Sequence, residues 1–139
     1  MQRSWINTVS LDHVQLGAAG GFAQADHGKD TRLRRLNKGD RIAFYSPRTA
    51  MGSGEALQQI TALGTVTGAA PYQVEMSPDF HPWRLEVDFA DVSPVSIRPL
   101  LEELSFITDL KRWGLPFRRG LFEIGSPDME IIRRALLPD

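Results

Sequence analysis

One segment of the chain alternates apolar and charged residues without interruption. Between Trp83 and Phe89, apolar side chains occupy every second position and charged side chains occupy the positions between them. A period of two predicts a β-strand that turns one face to the core and the other to water. Other runs rich in β-branched and aromatic residues predict further strands. These runs lie at residues 5–9, 41–45, 58–67, 72–75 and 117–124.

Apolar residues spaced three or four positions apart predict helices elsewhere in the chain. The first helix is expected to begin after Ser10, its N-cap, and to end at the Gly20–Gly21 pair. The last helix is expected to begin at Ser126–Pro127, because proline suits the first helical position. A short basic helix at residues 32–36 and an amphipathic helix at residues 96–104 are expected between them.

Glycine and proline mark the breaks between the predicted strands. Pro47 is expected to end the strand at 41–45 because it has no amide donor, and residues 48–56 are expected to form a loop. Gly64 indicates a bulge or a tight bend. Short strands, roughly five or six in number, with a few helices predict an α+β domain built around a small curved β-barrel with peripheral helices.

Composition narrows the class of protein. The chain has 139 residues, of which 42% are hydrophobic, so we expect one core and a single domain over residues 1–139. Its net charge of −1 is not that of a general nucleic-acid binder, so any nucleic acid must be held locally. The absence of cysteine and the three separated histidines predict no disulfide, no metal site and no cofactor. No apolar signal segment or membrane span is present, which predicts a cytoplasmic protein.

The segment from Gly20 to Lys29 has the composition of a binding loop. Its two adjacent glycines permit close backbone approach. Phe22 offers a stacking face, Gln24 an amide edge and His27 a ring donor, while Lys29 supplies a positive charge. This mixture suits a planar, polar, anionic ligand such as a nucleotide.

Several short motifs follow one another in a characteristic order along nearly the whole chain. They are Trp5-Ile6-Asn7, Gly21-Phe22-Ala23-Gln24, His27-Gly28-Lys29, Gly39-Asp40-Arg41-Ile42-Ala43-Phe44-Tyr45-Ser46-Pro47, Ala62-Leu63-Gly64-Thr65-Val66, Pro82-Trp83-Arg84, Leu104-Ser105-Phe106-Ile107, Trp113 and Phe117-Arg118-Arg119-Gly120. This order resembles that of the EVE-domain proteins, in particular the single-domain bacterial set.

The resemblance implies a PUA-like fold, the pseudo-barrel of PUA, ASCH and YTH domains. It also implies a function, because YTH domains hold a methylated adenine of RNA in an aromatic cage. By this kinship the chain is expected to accept a modified base of DNA or RNA.

Rings and amide edges are the side chains that such a base requires. Aromatic faces stack on bases, and asparagine or glutamine amides pair with base edges. For Trp5 core packing is the stronger alternative, and for Trp83 the two roles are balanced. The expected base pocket comprises Trp5, Asn7, Gly21, Phe22, Gln24, His27, Ser46, Trp83 and Phe106.

Positive side chains are expected to hold the phosphates without reading sequence. Clustering supports this expectation, because six basic residues lie between positions 29 and 41. The expected phosphate-binding residues are Lys29, Arg48, Arg84, Arg118 and Arg119.

Three functional hypotheses remain at this point. The first is a module that binds a modified base and performs no chemistry. The second is an enzyme acting on a small nucleotide, with His27 and Asp26 as acid and base. The third is a protein-interaction domain. Since the sequence has no nucleophile elbow and no paired-histidine metal motif, we predict binding rather than catalysis.

Overall fold

The computed structural model describes residues 2–137, which form a mixed β-sheet flanked by two helices. Its strands are β1 (Ser4–Thr8), β2 (Phe22–Ala23), β3 (Arg41–Ala50), β4 (Ser53–Val66), β5 (Tyr72–Gln73), β6 (Trp83–Phe89), β7 (Val95–Ser96) and β8 (Leu121–Ile124). Its helices are α1 (Leu11–Gly20) and α2 (Ser126–Leu136). No helix within residues 2–137 is long and apolar enough to cross a membrane.

Six strands form the main sheet in the order β2-β6-β4-β3-β1-β8. The short strands β5 and β7 pair with β6 and β4. Strand β1 runs parallel to β3, and the other pairings are antiparallel. The sheet curls into a half-barrel, so the prediction of an α+β fold with a small curved β-barrel is confirmed.

The boundaries of β6, α1 and α2 follow the local patterns closely. Strand β6 covers Trp83–Phe89, as its alternation predicts. Helix α1 follows Ser10 and ends at Gly20, and the next residue, Gly21, has a φ of 76°, the left-handed conformation typical of a glycine C-cap. Helix α2 has proline in its first turn and buries Met129 and Ile132.

The prediction that Pro47 ends a strand is wrong, and so is the loop predicted at 48–56. Strand β3 continues through Pro47 to Ala50 and pairs with β4 across a turn at residues 51–52. The register shifts between Ser46 and Arg48, so the missing amide of Pro47 leaves the regular ladder intact.

Of the bulge or tight bend predicted at Gly64, the bulge is not formed there, because the register shifts of β4 lie at other positions. A side chain here would bring its Cβ within 2.5 Å of Val87 Cγ1 and 2.9 Å of the Asp88 carbonyl oxygen. Glycine at this position therefore lets β6 approach β4 closely.

The predicted amphipathic helix at 96–104 is also wrong. Ser96 pairs with Gln59 in the sheet, and the amide of Ile97 donates to the Gln58 carbonyl, so only a short 3₁₀ turn follows at Arg98–Leu100. The apolar spacing nevertheless marks buried residues, since Ile97, Leu100, Leu101 and Leu104 all lie in the core. The strand predicted at 117–124 begins only at Leu121, after a 3₁₀ turn at Pro116–Arg119. The short helix expected at 32–36 is a 3₁₀ turn over Leu33–Arg35.

Two apolar clusters fill the two sides of the sheet. The α2-side core contains Ile6 and Ile132, and the α1-side core contains Trp5 and Val14. Successive residues of a strand face opposite sides, so Trp5 and Ile6 enter different cores. Asn7 lies two positions after Trp5 and therefore faces the α1 side.

Candidate functional site

Asn7 connects the end of β1 to the segment from Gly20 to Lys29. Asn7 is 1% exposed, and its Nδ2 donates a hydrogen bond of 2.8 Å to the backbone carbonyl of Gln24. The side chain of Gln24 in turn accepts a 2.6 Å hydrogen bond at Oε1 from Nε of Arg84. Residues from β1, the loop after β2, and β6 are thus joined in one chain of contacts.

The ring of Phe22 packs against the guanidinium of Arg84. Phe22 is only 6% exposed, yet it belongs to neither core cluster. A Cβ at Gly20 of α1 would lie 2.5 Å from the ring, so the helix can pack this closely only with glycine there. The guanidinium carbon of Arg84 lies 3.7 Å from the ring centre. The planar group on this surface is therefore the guanidinium of Arg84, with Phe22 beneath it.

The next part of the loop is a strained turn. Asp26, His27 and Gly28 have φ values of 55°, 57° and 87°, so three successive residues are left-handed. Left-handed backbone costs an L-residue roughly 1–2 kcal/mol, and such strain clusters at functional sites. The carboxylate of Asp26 lies 4.0 Å from Arg32, and the side chain of His27 is exposed.

Packing against the β5–β6 connection holds this turn in place. A Cβ at Gly28 would lie 2.8 Å from Cβ of Pro82 and 2.9 Å from the ring of Phe80. The turn is therefore seated directly on the segment that leads into β6. It lies next along the chain to Gln24 and beside the beginning of the strand that carries Arg84.

Gly21 and Trp83 border this region. Gly21 caps α1, and its carbonyl accepts a 2.9 Å hydrogen bond from the amide of Val87. Trp83 packs at the edge of the α1-side core, with the guanidinium of Arg34 5.3 Å from its ring centre. Because neighbouring residues of a strand face opposite sides, Trp83 and Arg84 lie on opposite faces of β6.

The remaining expected pocket residues are engaged elsewhere. Trp5 is 3% exposed, and its Nε1 donates to Asp40 at 3.0 Å. Ser46 is fully buried, and its hydroxyl lies 2.8 Å from that of Thr61. Phe106 packs edge to face on Phe117 and Phe122 at the α2-side core.

The five expected phosphate-binding residues belong to four different elements or loops. Arg84 is part of the Gln24 contact, and Lys29 is exposed directly after the strained turn. Arg48 spans the β3–β4 hairpin and donates to the carbonyls of Ser53 and Gly54. Arg118 and Arg119 belong to the 3₁₀ turn that precedes β8.

Among residues 2–137, no group of three histidine, aspartate or glutamate side chains is placed to hold a metal ion.

The family of the chain follows from comparison with known proteins. The family model described as the EVE domain matches residues 3–135. The chain belongs to the EVE-domain family. A UPF0310 protein of Mycolicibacterium vanbaalenii is 54% identical over 134 residues, which cover 96% of this chain and 92% of the relative. The UPF0310 protein YdcG of Bacillus subtilis is 40% identical and covers 95% of this chain and 90% of its own.

Solved structures agree with this assignment at the level of fold. The YTH domain of the Zygosaccharomyces rouxii MRB1 protein, in complex with N6-methyladenosine RNA, superposes with a TM-score of 0.71. That match is 15% identical and covers 99% of this chain and 86% of the other. A mutant ZmASCH protein from Zymomonas mobilis gives a TM-score of 0.58 at 7% identity, covering 97% of this chain and 99% of the other. The predicted family and the PUA-like fold are thus confirmed.

Two exposed aromatic residues near this loop of the EVE domain are not among the site residues predicted from the sequence. Tyr72 is 41% exposed and pairs directly with Arg84 across the β5–β6 ladder. Phe80, which is 39% exposed, packs at Gly28. Both lie in a proline-rich stretch that has the composition of a simple connection. The available signal is an aromatic ring in a proline-rich stretch, at Phe80 outside any predicted strand or helix and at Tyr72 in the short strand predicted at 72–75.

A separate aromatic cluster occupies the α2 side of the EVE domain. Tyr45 stacks on Phe117 with ring centres 4.1 Å apart and meets Trp113 edge to face. Burial raises the pKa of the Tyr45 hydroxyl to about 12, and the positive charge of Arg98 opposes this rise. A surface cavity of about 540 Å³ lies next to the cluster, lined in part by Trp113.

Proposed function

We propose that this EVE domain is a non-catalytic module that binds a modified nucleobase of DNA or RNA at the surface formed by Gln24 and Arg84. One observation carries the proposal. Asn7, Phe22, Gln24 and Arg84 come from distant parts of the chain and are joined by direct contacts beside a strained loop. Such contacts hold side chains in fixed positions, as a binding site requires.

The guanidinium of Arg84 supplies the stacking face in this proposal. Nucleic-acid-binding proteins stack unpaired bases on arginine planes as well as on aromatic rings. The plane of Arg84 is held by the Phe22 ring at 3.7 Å and by the hydrogen bond to Gln24. Stacking contributes roughly 1–3 kcal/mol per base, which is a large share of the affinity for a single nucleoside.

The amide of Gln24 supplies the edge contact. Its Oε1 already accepts from Arg84, so Nε2 remains as a donor for an acceptor atom of the base. The contact from Asn7 to the carbonyl of Gln24 fixes the backbone from which this amide extends. His27 extends into solvent from the adjacent turn and offers a second polar contact.

Tyr72 and Phe80 supply the apolar wall for the modification. Residues directly opposite each other in a ladder place their side chains on the same face, which puts Tyr72 beside Arg84. Phe80 packs at Gly28, on the strained turn. A methyl group or similar substituent on the base would contact these rings instead of water.

The solved YTH neighbour supports the class of ligand, because that protein is in complex with N6-methyladenosine RNA and shares this fold. The arrangement of Asp26 favours binding over catalysis. Its carboxylate pairs with Arg32, which leaves His27 without the oriented partner that an acid–base pair requires.

Native mass spectrometry against a panel of modified nucleosides and short oligonucleotides tests the proposal. We expect one modified nucleoside to bind at least roughly tenfold more tightly than its plain counterpart. Gln24→Leu should reduce this affinity by about 10- to 100-fold, because it removes the edge contact. Gln15→Leu, an equal change at an exposed position of α1, should leave it unchanged. Equal affinity for modified and plain nucleosides and strands would overturn the proposal, as would turnover of a nucleotide that His27→Ala abolishes.

A further inference from the structure

An arginine-rich cleft lies along β1 and β8, apart from the Gln24–Arg84 surface. Its volume is about 500 Å³. Its lining residues are Arg3, Trp5, Arg32, Arg35, Arg119, Leu121, Phe122 and Glu123. Four guanidinium groups therefore face one carboxylate among the lining residues, in a protein whose net charge is −1. The local charge is opposite in sign to that of the whole chain.

The 3₁₀ turn at Leu33–Arg35 explains how two of these arginines reach the same cleft. Side chains three residues apart eclipse one another in a 3₁₀ turn, which aligns Arg32 with Arg35. The same period buries Leu33 and Leu36 in the α1-side core. Arg34 lies on the remaining side of this 3₁₀ turn, where its guanidinium approaches Trp83.

Two of the arginines are held before any ligand arrives. The guanidinium of Arg119 lies 4.2 Å from the ring centre of Phe122, and its Nε donates to the Pro116 carbonyl at 3.1 Å. Arg32 donates from one terminal nitrogen to the carbonyl of Arg119. A guanidinium carries five N–H donors, so most of the donors remain for a ligand. Preorganised guanidinium groups bind the oxygens of a phosphate in pairs, which adds strength and direction.

One ion pair links the wall of the cleft to the loop that carries Gln24. Asp26, two residues after Gln24, lies 4.0 Å from Arg32 in the cleft wall. A strand whose base stacks on Arg84 would thus pass the strained turn to reach the cleft.

We propose that this cleft binds phosphodiester groups of the nucleic-acid strand whose modified base is held at Gln24 and Arg84. This inference rests on the proposed function, because it assigns the cleft to the same strand. Phosphate contacts of this kind give affinity and fix the position of the strand, while the base contact selects the modification. Free phosphate and mononucleotides present the same chemistry, so the experiment must separate them from a strand.

Two substitutions of opposite effect test the cleft. The side chain of Arg35 makes no hydrogen bond or ion pair with any other residue that the structure describes, so Arg35→Gln removes a charge without removing a side-chain contact. Glu123→Gln removes the carboxylate that lies 3.8 Å from Arg3. Arg134→Gln is the matched control, since it removes one positive charge from an exposed position on α2.

Fluorescence anisotropy with a single-stranded oligonucleotide, measured across a range of salt concentrations, gives the readout. We expect Arg35→Gln to weaken binding about three- to tenfold and to make the log–log salt dependence shallower by about 0.7, the value for one lost phosphate contact. Glu123→Gln should tighten binding, an effect that a purely structural role of the cleft does not produce. Both variants should bind the free modified nucleoside as the wild type does.

The outcomes separate the cleft from the base site. An abasic phosphodiester strand tests the cleft alone, and Arg35→Gln should weaken its binding even if no nucleoside binds. The cleft proposal is overturned if Arg35→Gln and Glu123→Gln match Arg134→Gln in affinity and salt dependence. It is also overturned if inorganic phosphate or a mononucleotide displaces the strand as effectively as a competing abasic strand of equal phosphate concentration. Loss of nucleoside selectivity with retained cleft effects would overturn the base site and leave the cleft as a general strand-binding site.

Discussion

The guanidinium of Arg84 lies 3.7 Å from the centre of the Phe22 ring, and its Nε donates a hydrogen bond to Oε1 of Gln24. An arginine in an alternating strand ordinarily extends into solvent, where it is free to meet a phosphate. Here its guanidinium lies over a buried ring that belongs to neither core. The pair is therefore a prepared planar surface.

Replacing Arg84 by lysine separates the contribution of its planar guanidinium to binding from that of its positive charge. Lysine keeps the positive charge but has no planar group to stack or to bind Gln24 in the same way. We expect Arg84→Lys to reduce the affinity for the modified nucleoside about tenfold, as measured by calorimetry. Arg48→Lys, in the β3–β4 hairpin, serves as the control and should have no effect. Undiminished affinity in Arg84→Lys would show that Arg84 contributes only its charge.

Tyr72 tests whether the β5–β6 hairpin contributes to the base site. Because Tyr72 lies directly opposite Arg84, Tyr72→Ala should weaken nucleoside binding by roughly tenfold. Tyr72→Phe should retain most of the affinity, since it keeps the ring. The side chain is 41% exposed, so neither variant should lower the urea midpoint of unfolding appreciably. Equal binding by Tyr72→Ala and the wild type would remove the hairpin from the proposed site.

Gly28 and Gly39 form a matched pair for measuring how firmly the strained turn is held. Both have positive φ, at 87° and 96°, but a Cβ would meet Pro82 and Phe80 only at Gly28. Gly39→Ala should cost about 1–2 kcal/mol of unfolding free energy from the backbone alone. Gly28→Ala should cost about 1–3 kcal/mol more, because the turn must move away from its neighbours. Urea denaturation measures both. Similar losses in the two variants would mean that the packing at Pro82 and Phe80 is loose.

Asp40 tests whether Trp5 is structural. Its buried carboxylate accepts hydrogen bonds from the amides of Arg3 and Asn37 and from Nε1 of Trp5. Asp40→Ala leaves these donors unsatisfied and should cost about 3 kcal/mol of stability in urea denaturation. Asp88→Ala, at an exposed position of β6, is the control. Nucleoside affinity of the folded Asp40→Ala variant should be normal. A selective loss of affinity at unchanged stability would instead place Trp5 in the base site.

The raised pKa of Tyr45 predicts a change of stability at alkaline pH. In the unfolded chain a tyrosine ionises near its ordinary pKa of about 10, whereas burial raises the pKa of Tyr45 to about 12. The neutral form is therefore favoured by folding, and its contribution is complete below pH 10 and is lost as the pH rises toward 12. The Tyr72→Phe variant leaves Tyr45 as the one tyrosine of the chain, so the ultraviolet absorbance of its ionised form can be followed directly. A tyrosinate signal with a midpoint near pH 10 in the folded protein would contradict the prediction.

Local patterns were enough to locate the elements that frame the site. The alternation in Trp83–Phe89 depends only on which face of one strand meets the core, and β6 has those boundaries. Ser10 and Gly21 bound α1 for equally local reasons, an extended N-cap and a left-handed C-cap. The order of short motifs also identified the EVE family and its PUA-like fold.

Local patterns failed where a partner distant in sequence determines the conformation. Strand β3 continues through Pro47 because β4 pairs with it, and Ile97 gives its amide to Gln58 and not to a helix. In the same way, only the tertiary structure decided that the guanidinium of Arg84 lies over the ring of Phe22, a residue far away in the sequence, and donates a hydrogen bond to Gln24. The sequence alone determined which residues prefer strand, helix or core, because those preferences act between near neighbours. The folded structure determined which polar groups meet, because a hydrogen bond or a stacked pair depends on where the whole chain brings two side chains together.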